Sequence, residues 1–258
     1  MDARRLPPAV LAAASDRAGG ALEVAATALD GLLEVAGDRE LLEEAVVALG
    51  AGQPAMAPIW HLAVAARSPD PRSALAALRA RLAADAGAAV DAATAWLLDR
   101  LATDTGSAHP GSARPGAGHP GAVATVSHSS LVDRVLSRVA GGRGNPAPRI
   151  LGPLHGRVAQ AEVEGVGLST APVVGVVGAD AIGPAALLNA DGTRELAERV
   201  PTLVVATPVK LVPAAVFGRL GGAGFEVVAL ETLAAVVVGP EVLSPVQAGR
   251  RARELPPS

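Results

Sequence analysis

The sequence predicts an α/β chain: a helical N-terminal domain over residues 1–102, a Gly/Pro-rich linker over 103–121, and a Rossmann-like, mostly parallel sheet domain over 122–258. Three observations predict it. Up to Ala102 apolar residues recur at three-and-four spacing with charges between them, as in "RELLEEAVVALG" and "SALAALRARLAADAGAAVDAATAWLLDRLA", the pattern of amphipathic helices. Between Thr103 and Ala122 stands "TDTGSAHPGSARPGAGHPGA", which has too little apolar surface to offset the entropy of ordering it. Beyond it, short β-branched runs bounded by Gly or Pro alternate with helix-like stretches, and strands alternating with helices imply crossovers and a parallel sheet covered on both faces.

Composition bounds the function. With 258 residues, half of them hydrophobic, the chain can bury a sizeable core, but only 2% are aromatic, so Ala, Val and Leu must fill it. Aromatic platforms for stacking single-stranded bases are scarce, and a net charge of -3 gives no pull toward phosphate backbones, so nucleic acid is not an expected partner. Cysteine is absent, which removes disulfides, thiolate metal sites and a thiol nucleophile together. The N-terminus has no long apolar core of a signal peptide, and no later stretch reaches membrane-spanning length without Gly, Pro or charge. A cytoplasmic protein without membrane association, metal or cofactor is expected.

Taken in order, the candidate elements carry a small set of polar residues. "SDRAGGALEVAATAL" places Arg17, Gly19 and Gly20 before an amphipathic helix, where a guanidinium and backbone amides can receive an anion. His109 and His119 fall in the linker, where solvated loop residues are expected rather than metal ligands. "ATVSHSSLVDRVL" runs a strand into Ser127, His128, Ser129 and Ser130 and then a helix, so hydroxyls and amides gather where the helix dipole favours a phosphate. In "VVGVVGADAIGPAALLNADGTREL" a buried strand ends near Asp180, and ligands of parallel sheets sit at such strand ends; a helix cap is the competing explanation. "ATPVKLVP" holds Lys210, the one lysine in a chain that otherwise uses arginine, directly after a strand. The further strands expected in the parallel sheet are "RILGPL", "TLVVATP", "FEVVAL" and "AAVVVG".

In this order the pieces resemble one superfamily: the alpha, beta and delta regulatory subunits of translation initiation factor 2B, the methylthioribose-1-phosphate isomerases and the archaeal ribose-1,5-bisphosphate isomerases. "GADAI" followed by "NADGT" is similar to its Gly-Ala-Asp-x-Ile and Asn-Lys-x-Gly-Thr stretches, matching Asp180, Asn189, Gly192 and Thr193. "DRAGG", the Ser-rich turn, "PVKL" and "VLSPVQAG" resemble further family segments. The resemblance implies a pocket for a phosphorylated sugar or nucleotide, with Asp180 and Ser127 at the catalytic positions. It implies ligand contacts from Arg17, Gly19, Gly20, His128, Ser129, Ser130, Arg157, Asn189, Gly192, Thr193 and Lys210, and a homodimer.

The departures bear on activity. In the isomerases a Cys and the Asp move hydrogen between C1 and C2; Ser127 stands at the Cys position. A thiol titrates near about pH 8.5 and can be tuned, whereas a hydroxyl needs a dedicated base. Ala190 replaces the family Lys, Gln53 replaces an Arg, and the segment around Arg157 and His155 lacks an Arg and a Glu. A Ser127-His128 triad is disfavoured because adjacent strand residues point to opposite faces. Three functions compete: a non-catalytic, regulatory binder of a phosphorylated sugar or nucleotide; an aldose-ketose isomerase of a pentose 1-phosphate; and an unrelated Rossmann-like enzyme, for which no Gly-x-Gly-x-x-Gly follows a strand. The regulatory binder is the expectation, with the hydroxyls of the sugar and the Asn189 amide as partners of Asp180. The Arg-for-Lys bias points to a GC-rich bacterial genome, where the eukaryotic factor's substrate does not exist.

Overall fold

The computed structural model describes residues 6–103, 121–126, 129–141, 149–152 and 173–256. It opens with helices α1 (Pro8–Ser15), α2 (Ala21–Glu34), α3 (Arg39–Gly52), α4 (Ala57–Ala66) and α5 (Pro71–Thr103). Their starts are written in the sequence. Proline occupies the first turn of α1 and α4, where its missing N–H costs nothing, and the Asp38 carboxylate caps α3 by accepting from the Leu41 amide at 3.0 Å. Apolar stripes bury Val24, Ala28, Leu29 and Leu32 of α2 with Leu49 of α3, Leu62 of α4 and Leu75 of α5 in one core. Helix α5 is 33 residues long, and its stripe continues without a break from Leu75, Leu78 and Leu82 to Ala86, Ala89, Ala93 and Leu97. The first three join the helical core; the last four pack with Val123, Val176, Leu203 and Val205 of the sheet.

The six-stranded sheet holds β1 (Ala122–Ala124), β2 (Arg149–Leu151), β3 (Val173–Val177), β6 (Thr202–Ala206), β8 (Ala235–Val238) and β9 (Glu241–Leu243), in the order β2-β1-β3-β6-β8-β9. All neighbours are parallel except the hairpin partner β9. The fold is therefore α/β with a mostly parallel sheet, as the alternating texture predicts. Strand β6 shows why its run is continuously apolar: Leu203 and Val205 face α5 and α6 (Ser130–Ala140), while Val204 and Ala206 face the opposite core, which includes α7 (Thr193–Arg199) and α9 (Pro245–Glu254).

One expectation needs correction. "FEVVAL" forms β7 (Phe225–Ala229), but not in the parallel sheet: it pairs antiparallel with β5 (Ala186–Ala190), which pairs with β4 (Ala181–Ile182) in a separate three-stranded sheet. Its burial gives the reason, since only Val228 is buried while Val227 is 49% exposed, and a strand with one wet face suits an antiparallel layer. After β6 the chain makes a 3-10 turn, Pro208–Lys210, then the short helix α8 (Ala214–Phe217). Among the described residues no helix is long and apolar enough to cross a membrane.

Candidate functional site

A cavity of about 540 Å3 lies where the N-termini of α2 and α6, the carboxyl end of β3 and the turn after β6 meet. Parallel strands all end on one edge, and crossover helices start there, so strand-end residues and helix-start amides share that edge for topological reasons. The structure brings Arg17, Gly19, Gly20, Ser129, Ser130, Asp180, Asn189 and Lys210 into the wall of this one cavity. Gly192 and Thr193 do not line it. Gly192 forms the turn into α7, and Thr193 is a support: its Oγ1 accepts from Asn189 Nδ2 at 2.9 Å and donates to the Ala190 carbonyl at 2.7 Å. The Asn189 amide is thus engaged by Thr193, whereas the sequence suggests Asp180 as its partner. Ser127, His128, His155 and Arg157 lie outside the described residues, as do His109, His119 and the stretch 104–120.

Asp180 is not a helix cap. Its residue leads into β4, and its main chain is fixed on both sides, the N–H donating to the Leu188 carbonyl at 2.9 Å and the carbonyl accepting from the Ala57 amide of α4 at 3.0 Å. The carboxylate itself takes no hydrogen bond from a described residue and faces the cavity. Burial pushes its pKa up, and the nearby Lys210 ammonium offsets part of that. Lys210 is 4% exposed. Burial pulls its pKa down, opposed by Asp180 and then by Glu23, and it makes no hydrogen bond or close ion pair with a described residue. A desolvated ammonium and a desolvated carboxyl thus border the same space, each without a hydrogen bond to a described residue.

The helix starts are shaped for close approach. Gly178 sits where an added Cβ would lie 2.9 Å from Ser129 Oγ and 3.1 Å from Ser129 Cβ, so only glycine lets the end of β3 pack against the first residues of α6. Ser129 precedes α6 without capping an amide of its own helix. At α2 the loop is held from within: Asp16 Oδ1 accepts from the Ala18 amide at 2.8 Å and the Gly19 amide at 2.7 Å, which keeps its carboxyl below the usual range. The Gly19 amide is therefore engaged by Asp16, where the sequence suggests an open anion contact. Arg17 lines the cavity with one guanidinium nitrogen donating to the Ala14 and Asp16 carbonyls at 3.0 and 2.9 Å. Gln53, buried at the end of α3, donates from Nε2 to the Ala13 and Asp16 carbonyls, both at 2.7 Å, and so stitches this loop to α3.

Glu23 and Asp16 also line the cavity and were not among the residues the sequence singles out. Glu23 has a faint signal, an acid in the first turn of a helix, but that position is common for dipole reasons alone. Its place opposite Lys210 is a product of tertiary folding.

The Lys210 turn is anchored from outside by His61 of α4, whose Nε2 lies 2.8 Å from the Leu211 carbonyl. Burial pulls the His61 pKa below 6.5, partly opposed by that carbonyl, with Arg81 adding to the downward pull. A histidine with a depressed folded-state pKa contributes stability that is complete above its unfolded value and is lost as pH falls through the folded one. The wild type is therefore expected to lose melting temperature faster than His61→Gln as pH drops below 6.5, measured by thermal denaturation of both in the same buffers. Parallel curves would mean that His61 does not carry this dependence.

No family model matches the chain, and no curated protein matches it. Solved structures do. The crystal structure of the Pyrococcus horikoshii OT3 translation initiation factor eIF-2B is 19% identical over 94% of this chain and 99% of that one, with a TM-score of 0.60. A chain of the tetrameric eIF2B-beta2-delta2 complex from C. thermophilum is 13% identical over 90% and 91%, with a TM-score of 0.56. The 5-methylthioribose 1-phosphate isomerase of Pyrococcus horikoshii OT3 is 15% identical over 95% and 86%, with a TM-score of 0.50. The chain has the fold of these initiation factor 2B structures and of the 5-methylthioribose 1-phosphate isomerase. At these identities the likeness is one of fold, carried across nearly the whole chain.

Proposed function

We propose that the chain is a divergent, cytoplasmic relative of the initiation factor 2B regulatory subunits that binds a phosphorylated sugar or nucleotide without turning it over. One observation carries this reading: the N-termini of α2 and α6 open on a cavity that also holds a buried Lys210 and the carboxylate of Asp180, neither charged group hydrogen-bonded to a described residue. Helix N-termini and an ammonium suit a phosphate, and a carboxylate without protein donors suits sugar hydroxyls. Ser127 in the place of the isomerases' thiol supports a binding rather than a catalytic role. A homodimer is part of the reading. It is supported by the assembly of the tetrameric beta2-delta2 complex and by Val242 and Val246, 44% and 80% exposed near the C-terminus.

The test is calorimetric titration of wild type and Asp180→Asn with ribose 5-phosphate and with a nucleoside monophosphate. Hydrogen bonds to a charged group contribute about 1.5–3 kcal/mol, so the variant is expected to bind about 10- to 100-fold more weakly with its fold unchanged. Equal affinities would remove Asp180 from the site. The isomerase reading has one observation in its favour, a carboxyl whose raised pKa lets it carry a proton. Conversion of methylthioribose 1-phosphate or ribose 1,5-bisphosphate to the ketose would establish it.

A further inference from the structure

Lys210 stands out on two independent grounds. It is the one lysine of the chain, every other permanently basic side chain being arginine, and it is 96% buried while lining the cavity without its ammonium donating a hydrogen bond to a described residue. A phosphate contact alone would be served as well by a guanidinium, which is more weakly hydrated and offers five donors. What an amine offers and a guanidinium does not is a lone pair, since a guanidinium stays protonated throughout the working pH range. Burial favours the neutral amine at this position, and it favours the protonated acid at Asp180 on the same wall. The helix starts at Gly20 and Ser130, with Ser129 beside them, also line the cavity.

We propose that Lys210 captures the carbonyl carbon of an open-chain aldose phosphate as an imine, with Asp180 as the proton carrier and the phosphate held at the N-terminus of α6, where Ser129 and Ser130 line the cavity. This deepens the sugar-phosphate reading and rests on it. The Nζ lone pair adds to the aldehyde carbon while the oxygen takes the Asp180 proton, giving a carbinolamine. Nζ returns a proton to Asp180, and a second transfer lets the oxygen leave as water as the carbon–nitrogen double bond forms. Amine and aldehyde become imine and water, with nothing oxidised or reduced. The ligand class follows from the chemistry: the amine needs a free aldehyde, so the phosphate must sit on a carbon other than the carbonyl carbon, as in an aldose phosphorylated at its far end. A sugar 1-phosphate, whose carbonyl carbon is locked by the phosphate, would bind in the same cavity without reacting.

The single lysine makes the test direct. The full-length protein is incubated with ribose 5-phosphate and reduced with borohydride, and the intact mass and peptide map are read. The N-terminal amine is the other primary amine that can react. One equivalent of reduced adduct is expected on the peptide carrying Lys210, at a ligand concentration about tenfold below that at which unphosphorylated ribose gives the same labelling. Lys210→Arg, checked for native circular dichroism, should retain labelling at the N-terminus alone. Calorimetric binding of ribose 5-phosphate with no adduct at Lys210, or equal labelling by ribose, would overturn the imine while leaving the binding site standing. Absence of binding by both ribose 5-phosphate and ribose 1-phosphate would overturn the imine and the sugar-phosphate reading together.

Discussion

The double variant Asp180→Asn/Lys210→Met is expected to melt at a higher temperature than the wild type and to lose its phosphorylated ligand. The folded-state pKa of Asp180 is raised above 3.8, so the stability it contributes is complete below that value and is lost as pH rises through the folded one. Lys210 is the mirror case. Its folded-state pKa lies below 10.5, so its contribution is complete above 10.5 and is lost as pH falls through the folded value. In the window between the two shifted values, each group is charged at the native state's expense. Their mutual attraction does not cancel this, since desolvation is the larger influence on both. The two groups are not in ion-pair contact, but replacing them by neutral groups of similar volume removes the same kind of desolvation cost as replacing a buried pair, and a gain of about 1–4 kcal/mol is expected. Thermal denaturation near neutral pH, with and without ribose 5-phosphate, checks both halves. A double variant that melts lower than the wild type would show that the pair holds the fold rather than a ligand.

The second large effect is expected from Gly52→Ala. Gly52 ends α3 against the end of α1, and an added Cβ would run into the carbonyl of Ala14, with the Ala14 Cα and carbonyl carbon close behind. All three are backbone atoms, so the clash is relieved only by moving one helix end away from the other. Overpacking of this kind costs about 1–3 kcal/mol. The displacement also reaches the cavity, because the neighbouring Gln53 amide is what ties the Asp16 carbonyl to α3. Ligand affinity should therefore fall together with stability, although Gly52 offers no side chain to any ligand. Chemical denaturation and calorimetric titration of the same preparation test the coupling. Wild-type affinity in a destabilised variant would detach the loop from binding.

Much of this architecture was legible in the residues themselves. The three-and-four stripes placed α2 to α5, and the β-branched runs placed β3, β6 and β8, because a buried parallel strand must be apolar on both faces. Asp180 and Lys210 could be found because each is a charged residue directly after such a run, where topology delivers strand ends to a shared edge. The second sheet was harder to see. Strand β4 has two residues, too few for any period, and β5 carries Asn189 next to its last residue, which a strand template penalises. Gln53 could be noticed as a departure from a family pattern, but its role needs two chain segments far apart in sequence to meet. Gly192 and Thr193 taught the reverse lesson: a motif position can serve a turn or orient a neighbour without touching the cavity.

Helix α5 gives the molecule a thermodynamic unity that its two textures hide. At 33 residues it is about 50 Å long, and one unbroken stripe serves the helical core with its first half and the sheet with its second. Melting the sheet would strip cover from Ala89, Val90, Ala93 and Leu97, and fraying there would propagate along the same rod toward Leu78 and Leu75. Helix propagation favours extending or losing turns together rather than keeping an isolated half. The two halves of the chain are thus coupled in unfolding as a single cooperative unit, and calorimetry should record one heat-absorption peak whose van't Hoff and calorimetric enthalpies agree.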